Sequence, residues 1–195
     1  MYKTDFSKAI SALKNGEVIV YPTDTLYGLG ADIYNEAAVK KVFEIKNRPF
    51  NDPLSVAVSN IAEIEEIAYI DDKTKILVDR FLPGKLTLLL KKKDIISDLI
   101  TAGSDKVAIR IPDNKIALEL LSEFGPLTAT SANIHGLKTP GIINDISMQF
   151  KDNIAVYLDN GKLEDQASTI VDMTSKKVRI IRQGTISENE ILDAI

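Results

Sequence analysis

Several residue types that often carry enzyme chemistry are absent or scarce in this chain of 195 residues. It has no cysteine and no tryptophan, a single histidine (His135), and only 6% aromatic residues. The absence of cysteine excludes disulfides, a thiolate nucleophile and cysteine-ligated zinc. One histidine is too few for a metal site built from several histidines, and it argues against a Ser-His-Asp triad.

Long apolar runs are also missing. The longest, residues 86–90 with Thr87 inside it, is far too short to span a bilayer, and residues 1–5 lack the apolar core of a signal peptide. Positive charge is not in excess, because 24 Lys and Arg stand against 28 Asp and Glu, giving a net charge of -4. A generic nucleic-acid binder needs that excess, although a local basic groove remains compatible with the composition. We therefore expect a cytoplasmic protein without a membrane segment.

Apolar runs alternate with segments of helical periodicity from one end of the chain to the other. This pattern predicts an α/β fold: a single domain over residues 1–195, with a large twisted sheet of mixed parallel and antiparallel strands and helices packed on it. Helices are predicted at residues 5–14, 36–46, 61–68, 72–82, 115–124 and after a capping box at 187–190. Strands are predicted at 18–21, 54–58, 86–90, 107–111, 127–130, 155–158, 168–172 and 178–181. Because no helix separates the last three strands, they should form hairpins or antiparallel neighbours.

The most informative segment is residues 21–30, with the sequence Tyr-Pro-Thr-Asp-Thr-Leu-Tyr-Gly-Leu-Gly. It follows a predicted strand, so it places polar side chains at a sheet edge, where open α/β folds usually bind ligands. Lys46 and Arg48 come next, just before Pro49. The planar fork of an arginine suits phosphate or carboxylate. The pattern predicts an anion-binding site.

Further polar residues fall within or at the ends of other predicted strands: Arg110, Ser131, Asn133, Ser168 and Arg182. If these strands share one sheet, a single face gathers four cations beside several hydroxyls, namely Lys46, Arg48, Arg110 and Arg182. No carboxylate pair and no nucleophile–base pair accompanies them in the sequence. Such a site suits the positioning and charge stabilisation of a phosphate-bearing substrate better than covalent catalysis.

Each of these residues also has a purely structural interpretation. Lys46 and Arg48 can be solvated cations near the C-terminus of the 36–46 helix, where the helix dipole favours them. Arg110 can be the cationic half of a structural ion pair, because an arginine inside an apolar strand needs a partner. Ser131 and Asn133 can simply form a turn. Taken singly, the residues leave these alternatives open.

Taken in order, the motifs resemble the YrdC-domain family of threonylcarbamoyl-AMP synthases over roughly residues 6–185. The resemblance is carried by residues 21–30, Lys46-x-Arg48, Pro83-Gly84 before Leu86-Thr87, residues 107–110 and Ser131-x-Asn133. It implies a concave, positively charged cavity. It also implies synthesis of threonylcarbamoyl-adenylate from L-threonine, bicarbonate or CO2, and ATP, with release of pyrophosphate. Mg²⁺ would accompany ATP, and the product would go to the tRNA threonylcarbamoyl-transferase machinery that modifies adenosine 37.

The resemblance also implies roles for individual residues. Four would line the threonine pocket: Thr25, Arg110, Ala129 and Ser168. Eight would contact ATP: Lys46, Arg48, Asp52, Lys106, Ser131, Asn133, Thr139 and Arg182. Of these, Lys46 and Arg48 would offset triphosphate charge during the reaction, and no residue is assigned to a resident metal.

Three residues depart from the family pattern. Ala57 stands where many relatives have a histidine near threonine, Lys106 replaces a small polar residue, and Gln183 replaces a common proline. Any contact from position 106 is therefore expected to come from its backbone. The chain resembles the short, single-domain form of the family. A second hypothesis is a non-catalytic RNA-binding module that uses the same basic cavity for the phosphate backbone. The Ser131-x-Asn133 and Lys46-x-Arg48 motifs together, and the scarcity of aromatic residues, favour the enzyme, for which we expect at most weak RNA binding.

Overall fold

The computed structural model describes residues 5–163, 167–175 and 177–195. Eight α-helices are present in these ranges: α1 (Phe6–Lys14), α2 (Glu36–Lys46), α3 (Ile61–Ile67), α4 (Asp72–Phe81), α5 (Asp98–Thr101), α6 (Lys115–Phe124), α7 (Ile143–Phe150) and α8 (Glu188–Leu192). The same ranges contain eleven strands: β1 (Ile19–Pro22), β2 (Tyr27–Gly30), β3 (Ser55–Ala57), β4 (Ala68–Tyr69), β5 (Leu86–Lys92), β6 (Lys106–Arg110), β7 (Leu127–Thr128), β8 (Thr130–Ser131), β9 (Val156–Tyr157), β10 (Thr169–Asp172) and β11 (Arg179–Arg182).

The helices begin where their capping residues predict. Side chains of seven capping residues accept hydrogen bonds from backbone N–H groups of the first helical turn: Asp5, Asn35, Asn60, Asp71, Ser97, Asn114 and Ser187. All six predicted helices are confirmed. For the five whose two ends were predicted, the ends agree to within two residues. Two helices were not predicted. α5 is a single turn, and α7 begins after Ile142, whose side chain makes no capping hydrogen bond.

The mixed α/β architecture is confirmed, but hydrogen bonds divide the strands between two sheets. One sheet has the order β8-β2-β1-β9, and the other has the order β11-β10-β5-β6-β3-β7, with β4 beside β5. The predicted strand at 127–130 supplies both sheets, because β7 pairs with β3 and β8 pairs with β2. Ala129 lies between these two short strands, and its N–H donates to the Ser55 carbonyl at 2.8 Å.

The predicted pairing of the last three strands is right for two of them. β10 and β11 are antiparallel neighbours, as expected. For β9 the prediction was wrong, because β9 lies parallel to β1 in the other sheet. Strands that are close together in the chain often pair with each other, but β9 instead pairs with β1, more than a hundred residues earlier.

The glycines of residues 21–30 serve packing between β1 and β2. Tyr21 lies opposite Gly28 in the β1–β2 register. A Cβ atom on Gly30 would come within 2.9 Å of the Tyr21 ring, and one on Gly28 within 3.3 Å. The ring therefore occupies space that any larger residue at position 30 would need. The Tyr21 hydroxyl donates to the Thr128 carbonyl at 3.0 Å, which fixes the ring against β7 of the larger sheet.

The larger sheet separates the hydrophobic core from a cavity. Side chains alternate between the two faces of a strand. In β6, Val107 and Ile109 are buried in the core, while Lys106, Ala108 and Arg110 line the cavity. β5 follows the same alternation: Leu88 and Leu90 lie in the core, and Thr87 and Leu89 line the cavity. Thr87, Lys106 and Arg110 thus share the cavity face of the sheet.

Within the ranges given above, no helix is long and apolar enough to cross a lipid bilayer.

Candidate active site

A cavity of about 530 Å³ lies between the two sheets and receives side chains from both. Its size falls within the range typical of small-molecule sites. Eight of the residues predicted for the site line it: Thr25, Arg48, Lys106, Arg110, Ala129, Ser131, Ser168 and Arg182. Four others do not line it: Lys46, Asp52, Asn133 and Thr139. Each of these four makes a hydrogen bond or an ion pair within the networks that include the lining residues Arg48 and Ser131.

Arg110 is held by the loop between β1 and β2. The residue is only 7% exposed, and its Nη1 donates to Thr25 Oγ1 at 3.1 Å. Its Nη2 forms a close ion pair with Asp24. The structural interpretation of Arg110 as half of an ion pair is therefore confirmed, and the same side chain also lines the cavity. Sequence reasoning assigned no role to Asp24, although an arginine in an apolar strand signals that such a partner exists.

Thr23 fixes the loop that carries Asp24 and Thr25. Its Oγ1 accepts from the backbone N–H groups of Thr25 and Leu26 at 3.2 and 3.3 Å and donates to the Leu26 carbonyl at 2.7 Å. This is the local side-chain-to-backbone bonding expected of a threonine in a turn. It presents the Thr25 hydroxyl to Arg110.

Ser168 and Arg182 meet at the same end of the cavity. Arg182 donates from Nε and Nη2 to the Ser168 carbonyl at 3.2 and 2.9 Å, and from Nη2 to Ser168 Oγ at 3.1 Å. Thr87 Oγ1 lies 2.8 Å from Ser168 Oγ, a contact that the sequence did not predict. Burial and the charge of nearby Arg110 lower the pKa of Arg182. We call Thr25, Arg110, Ser168 and Arg182 the Arg110 end of the cavity.

Arg48 and Lys106 lie at a second end. The Arg48 guanidinium donates to the carbonyls of Asp52 at 3.0 Å and Pro53 at 2.9 Å, and pairs with the Asp52 carboxylate at 2.9 Å. Pro53 lies two residues before Ser55, which pairs with Ala108 in the β3–β6 register, and Pro53, Arg48 and Lys106 all line the cavity. We call Arg48, Pro53 and Lys106 the Lys106 end. Because Lys106 is four residues from Arg110 in β6, the two ends are about 13 Å apart along the strand.

Lys46 is buried, at 1% exposure, so its interpretation as a solvated surface cation is wrong. Its Nζ donates to the Asn133 carbonyl at 2.7 Å, to the Ser131 carbonyl, and more weakly to Asn133 Oδ1 at 3.4 Å. Three acceptors thus surround the three donors of the ammonium group. Burial, together with the charge of Arg48, lowers the pKa of Lys46 to about 7. Lys46 therefore supports the wall of the cavity and does not line it.

Asn133 ties together the loop that follows β8. Its Oδ1 accepts from Ser131 Oγ at 2.5 Å and from Thr139 Oγ1 at 3.1 Å, and its Nδ2 donates to the carbonyls of Ile134 and Leu137, both at 2.8 Å. The turn interpretation of Ser131 and Asn133 therefore describes the bonding of Asn133 correctly. Ser131 is the member of this network that reaches the cavity.

Ala57 does not line the cavity. It is fully buried beside Arg110 in the β3–β6 register and packs in the cluster that includes Leu127. This chain therefore has a methyl group, and no imidazole, next to the guanidinium.

Four cations line the cavity, and none of its described lining residues is a carboxylate. Three of the cations form ion pairs with carboxylates that do not line the cavity: Arg48 with Asp52, Lys106 with Asp172 and Arg110 with Asp24. The positive cavity expected from the sequence thus remains a prediction. Among the described residues no group of three or more histidine, aspartate or glutamate side chains is placed to hold a metal ion.

Comparison with known proteins identifies the family. The Sua5/YciO/YrdC family model, described as telomere recombination, matches residues 11–184. A putative threonylcarbamoyl-AMP synthase of Methanocaldococcus jannaschii is 43% identical over 88% of this chain and 82% of its own length. The threonylcarbamoyl-AMP synthase of Bacillus subtilis is 38% identical over 95% of this chain. The crystal structure of P. abyssi Sua5 complexed with L-threonine matches with a TM-score of 0.93 and 35% identity over 97% of this chain.

The chain belongs to the Sua5/YciO/YrdC family, and the resemblance noted in the sequence is confirmed. It spans 55% of the B. subtilis protein and 57% of the P. abyssi chain, that is, about half the length of each.

Proposed function

We propose that this protein is an L-threonylcarbamoyladenylate synthase, a nucleotidyltransferase that joins L-threonine, bicarbonate or CO2, and ATP and releases pyrophosphate. The observation that carries the proposal is a single cavity with two separate cationic ends. A threonine carboxylate and a triphosphate are two anionic groups that have to be held apart in this reaction. The relatives' names and the threonine complex of P. abyssi Sua5 support the same substrates.

The Arg110 end suits threonine. The Arg110 guanidinium would bind the carboxylate of the substrate. The hydroxyls of Thr25 and Ser168 would form hydrogen bonds with the other polar groups of threonine. Ala129 would border the substrate methyl group. The free amine of threonine attacks CO2 to give a carbamate, and a carbamate oxygen then attacks the α-phosphorus of ATP, with pyrophosphate as the leaving group. No protein nucleophile takes part in either step.

The Lys106 end suits the nucleotide. Arg48 and Lys106, which both line the cavity, would offset the charge of the phosphates and of the departing pyrophosphate. For Lys106 this is a side-chain role, in place of the backbone contact expected from the family pattern. Ser131 would contribute a hydroxyl from the opposite wall, and Arg182 would add charge from the Arg110 end. Lys46, Asn133, Asp52 and Thr139 would act indirectly, since they hold Ser131 and Arg48 in place.

Mg²⁺ fits this arrangement only as a companion of ATP. The described lining residues supply hydroxyl and carbonyl oxygens but no carboxylate, so the ion would be held mainly by phosphate oxygens and water, and Ser131 would be one hydroxyl on the wall able to contribute. When bound, the ion neutralises phosphate charge.

The product would be handed to the tRNA threonylcarbamoyl-transferase machinery for modification of position 37, in the cytoplasm. The alternative of a non-catalytic RNA-binding module is not favoured, because the relatives are named as synthases and a related structure contains L-threonine.

Pyrophosphate release from ATP tests the proposal. We expect release to require both L-threonine and bicarbonate, and to fall with serine, because a lost methyl contact costs about 1 kcal/mol or slightly more. The measurement is a coupled pyrophosphate assay in which each substrate is omitted in turn. ATP turnover that ignores both threonine and bicarbonate would contradict the proposal.

A further inference from the structure

Asp172 is a buried carboxylate at the Lys106 end of the cavity. Its side chain is 1% exposed. In the β5–β10 register it lies beside Leu89, which lines the cavity and is itself paired with Ala108 of β6. Asp172 is therefore on the cavity side of the sheet, although its own side chain does not line the cavity.

Four donors surround this carboxylate. Oδ1 accepts from the backbone N–H and the hydroxyl of Thr174 at 2.9 and 2.6 Å. Oδ2 accepts from Arg179 Nη2 at 2.8 Å and from Lys106 Nζ at 3.2 Å. Although burial acts to raise the pKa of Asp172, hydrogen bonds from Thr174, Arg179 and Lys106 hold it well below the usual range. The carboxylate is thus a fixed negative point against which a cation can be placed.

Of the two cations on Oδ2, only Lys106 faces the cavity. Lys106 is a lining residue and its side chain is 31% exposed, whereas Arg179 is 58% exposed and does not line the cavity. One of the three ammonium donors of Lys106 is used by Asp172, which leaves two for a ligand. Arg48 lines the same cavity and donates to the carbonyl of Pro53, another lining residue.

We propose that Asp172 is a positioning residue that fixes the Lys106 ammonium at the cavity wall, so that the Lys106 side chain and Arg48 together hold the phosphate groups of the nucleotide. The proposal rests on the synthase function proposed above. A lysine is a flexible point charge, and binding a ligand normally costs the ordering of its stem. The ion pair with Asp172 orders the stem before the ligand arrives.

The test is calorimetric titration of ATP, and separately of adenosine, into the wild type and four variants. Lys106→Met should weaken ATP binding about tenfold or more, because a charge-assisted hydrogen bond is lost, and should leave adenosine unchanged. Lys106→Arg should restore part of the affinity. Asp172→Asn should also weaken ATP relative to adenosine, and in the pyrophosphate assay it should raise KM for ATP more than it lowers kcat.

Arg179→Gln is the matched control, since it removes the other cation from the same carboxylate oxygen without touching the cavity. It should bind ATP like the wild type. Unchanged ATP affinity in Lys106→Met overturns the proposal, even if Asp172→Asn does not fold. Equal losses of ATP affinity in Arg179→Gln and Asp172→Asn also overturn it, because they indicate a structural role for the carboxylate. Failure of the wild type to bind ATP would instead overturn the proposed function.

Discussion

At the scale of single residues, Arg110 carries two roles that the sequence had presented as alternatives. It neutralises Asp24 inside the fold, and it lines the cavity where a substrate carboxylate would bind. The pair is not fully satisfied, because within the described residues Arg110 Nε and Asp24 Oδ2 are buried without a hydrogen-bond partner. Of the five N–H donors of the guanidinium, Thr25 and Asp24 use two, one from each terminal nitrogen, which leaves an N–H on each of these nitrogens for a ligand.

Replacing Arg110 should consequently affect both stability and binding. Arg110→Ala leaves the Asp24 carboxylate buried and unpaired, which should lower the free energy of unfolding by about 3–5 kcal/mol. Threonine binding should be lost, while ATP binding to the folded fraction should be nearly intact. Urea denaturation and calorimetric titration of each substrate measure the two effects.

The double variant Asp24→Asn/Arg110→Ala is the control for the ion pair. It should recover part of the stability, because no buried charge is left, but it should not recover threonine binding. No recovery of stability in the double variant would mean that the unpaired Asp24 charge is not what destabilises Arg110→Ala. Unfolding of Arg110→Ala with no selective loss of threonine would leave Arg110 with a structural role alone.

At the scale of elements, Lys46 joins the end of α2 to the loop after β8. Its pKa is lowered to about 7, mainly by burial, whereas an unfolded lysine titrates near 10.4. Between these two values the unfolded chain binds a proton that the folded chain lacks, so stability should rise with pH in that window. Below pH 7 the ammonium is protonated in both states and contributes no slope.

Lys46→Met should remove this pH dependence. Between about pH 7.5 and 9.5, the free energy of unfolding of the wild type should rise relative to that of the variant by up to about 1.4 kcal/mol per pH unit. Urea denaturation of both proteins at several pH values measures the difference. Parallel curves would show that the three hydrogen bonds to the loop keep Lys46 protonated throughout this range.

At the scale of the whole molecule, charge argues against RNA as the principal ligand. The net charge is -4, and three of the four cations lining the cavity already have carboxylate partners. Binding to tRNA should therefore be weak and should fall steeply between 50 and 200 mM salt, since it would depend on phosphate contacts. Fluorescence anisotropy of labelled tRNA measures this. Tight, sequence-selective binding at physiological salt without pyrophosphate release would favour the RNA-binding module.

The site could be predicted as a set of residues but not as a geometry. The motifs identified cations and hydroxyls that line the cavity, such as Arg48, Arg110 and Ser168. They did not distinguish these from Lys46, Asn133 and Thr139, which support the wall from behind. Lys46, Asn133 and Thr139 lie outside the strands, so the alternation of side chains along a strand cannot show whether they line the cavity. Asp24 and Asp172 were missed because a carboxylate acquires its role from a cation far away in the chain.

The sequence by itself determined the secondary structure elements that depend on local causes. Capping residues and hydrophobic periodicity act within a few residues, so α1, α2 and α6 lie where the chain predicts them. Only the tertiary structure decided how the strands divide into two sheets, that residues 127–131 cross between them, and that β9 pairs with β1. Strand partners are chosen by burial and by hydrogen bonds between distant segments, and the cavity exists because of that choice.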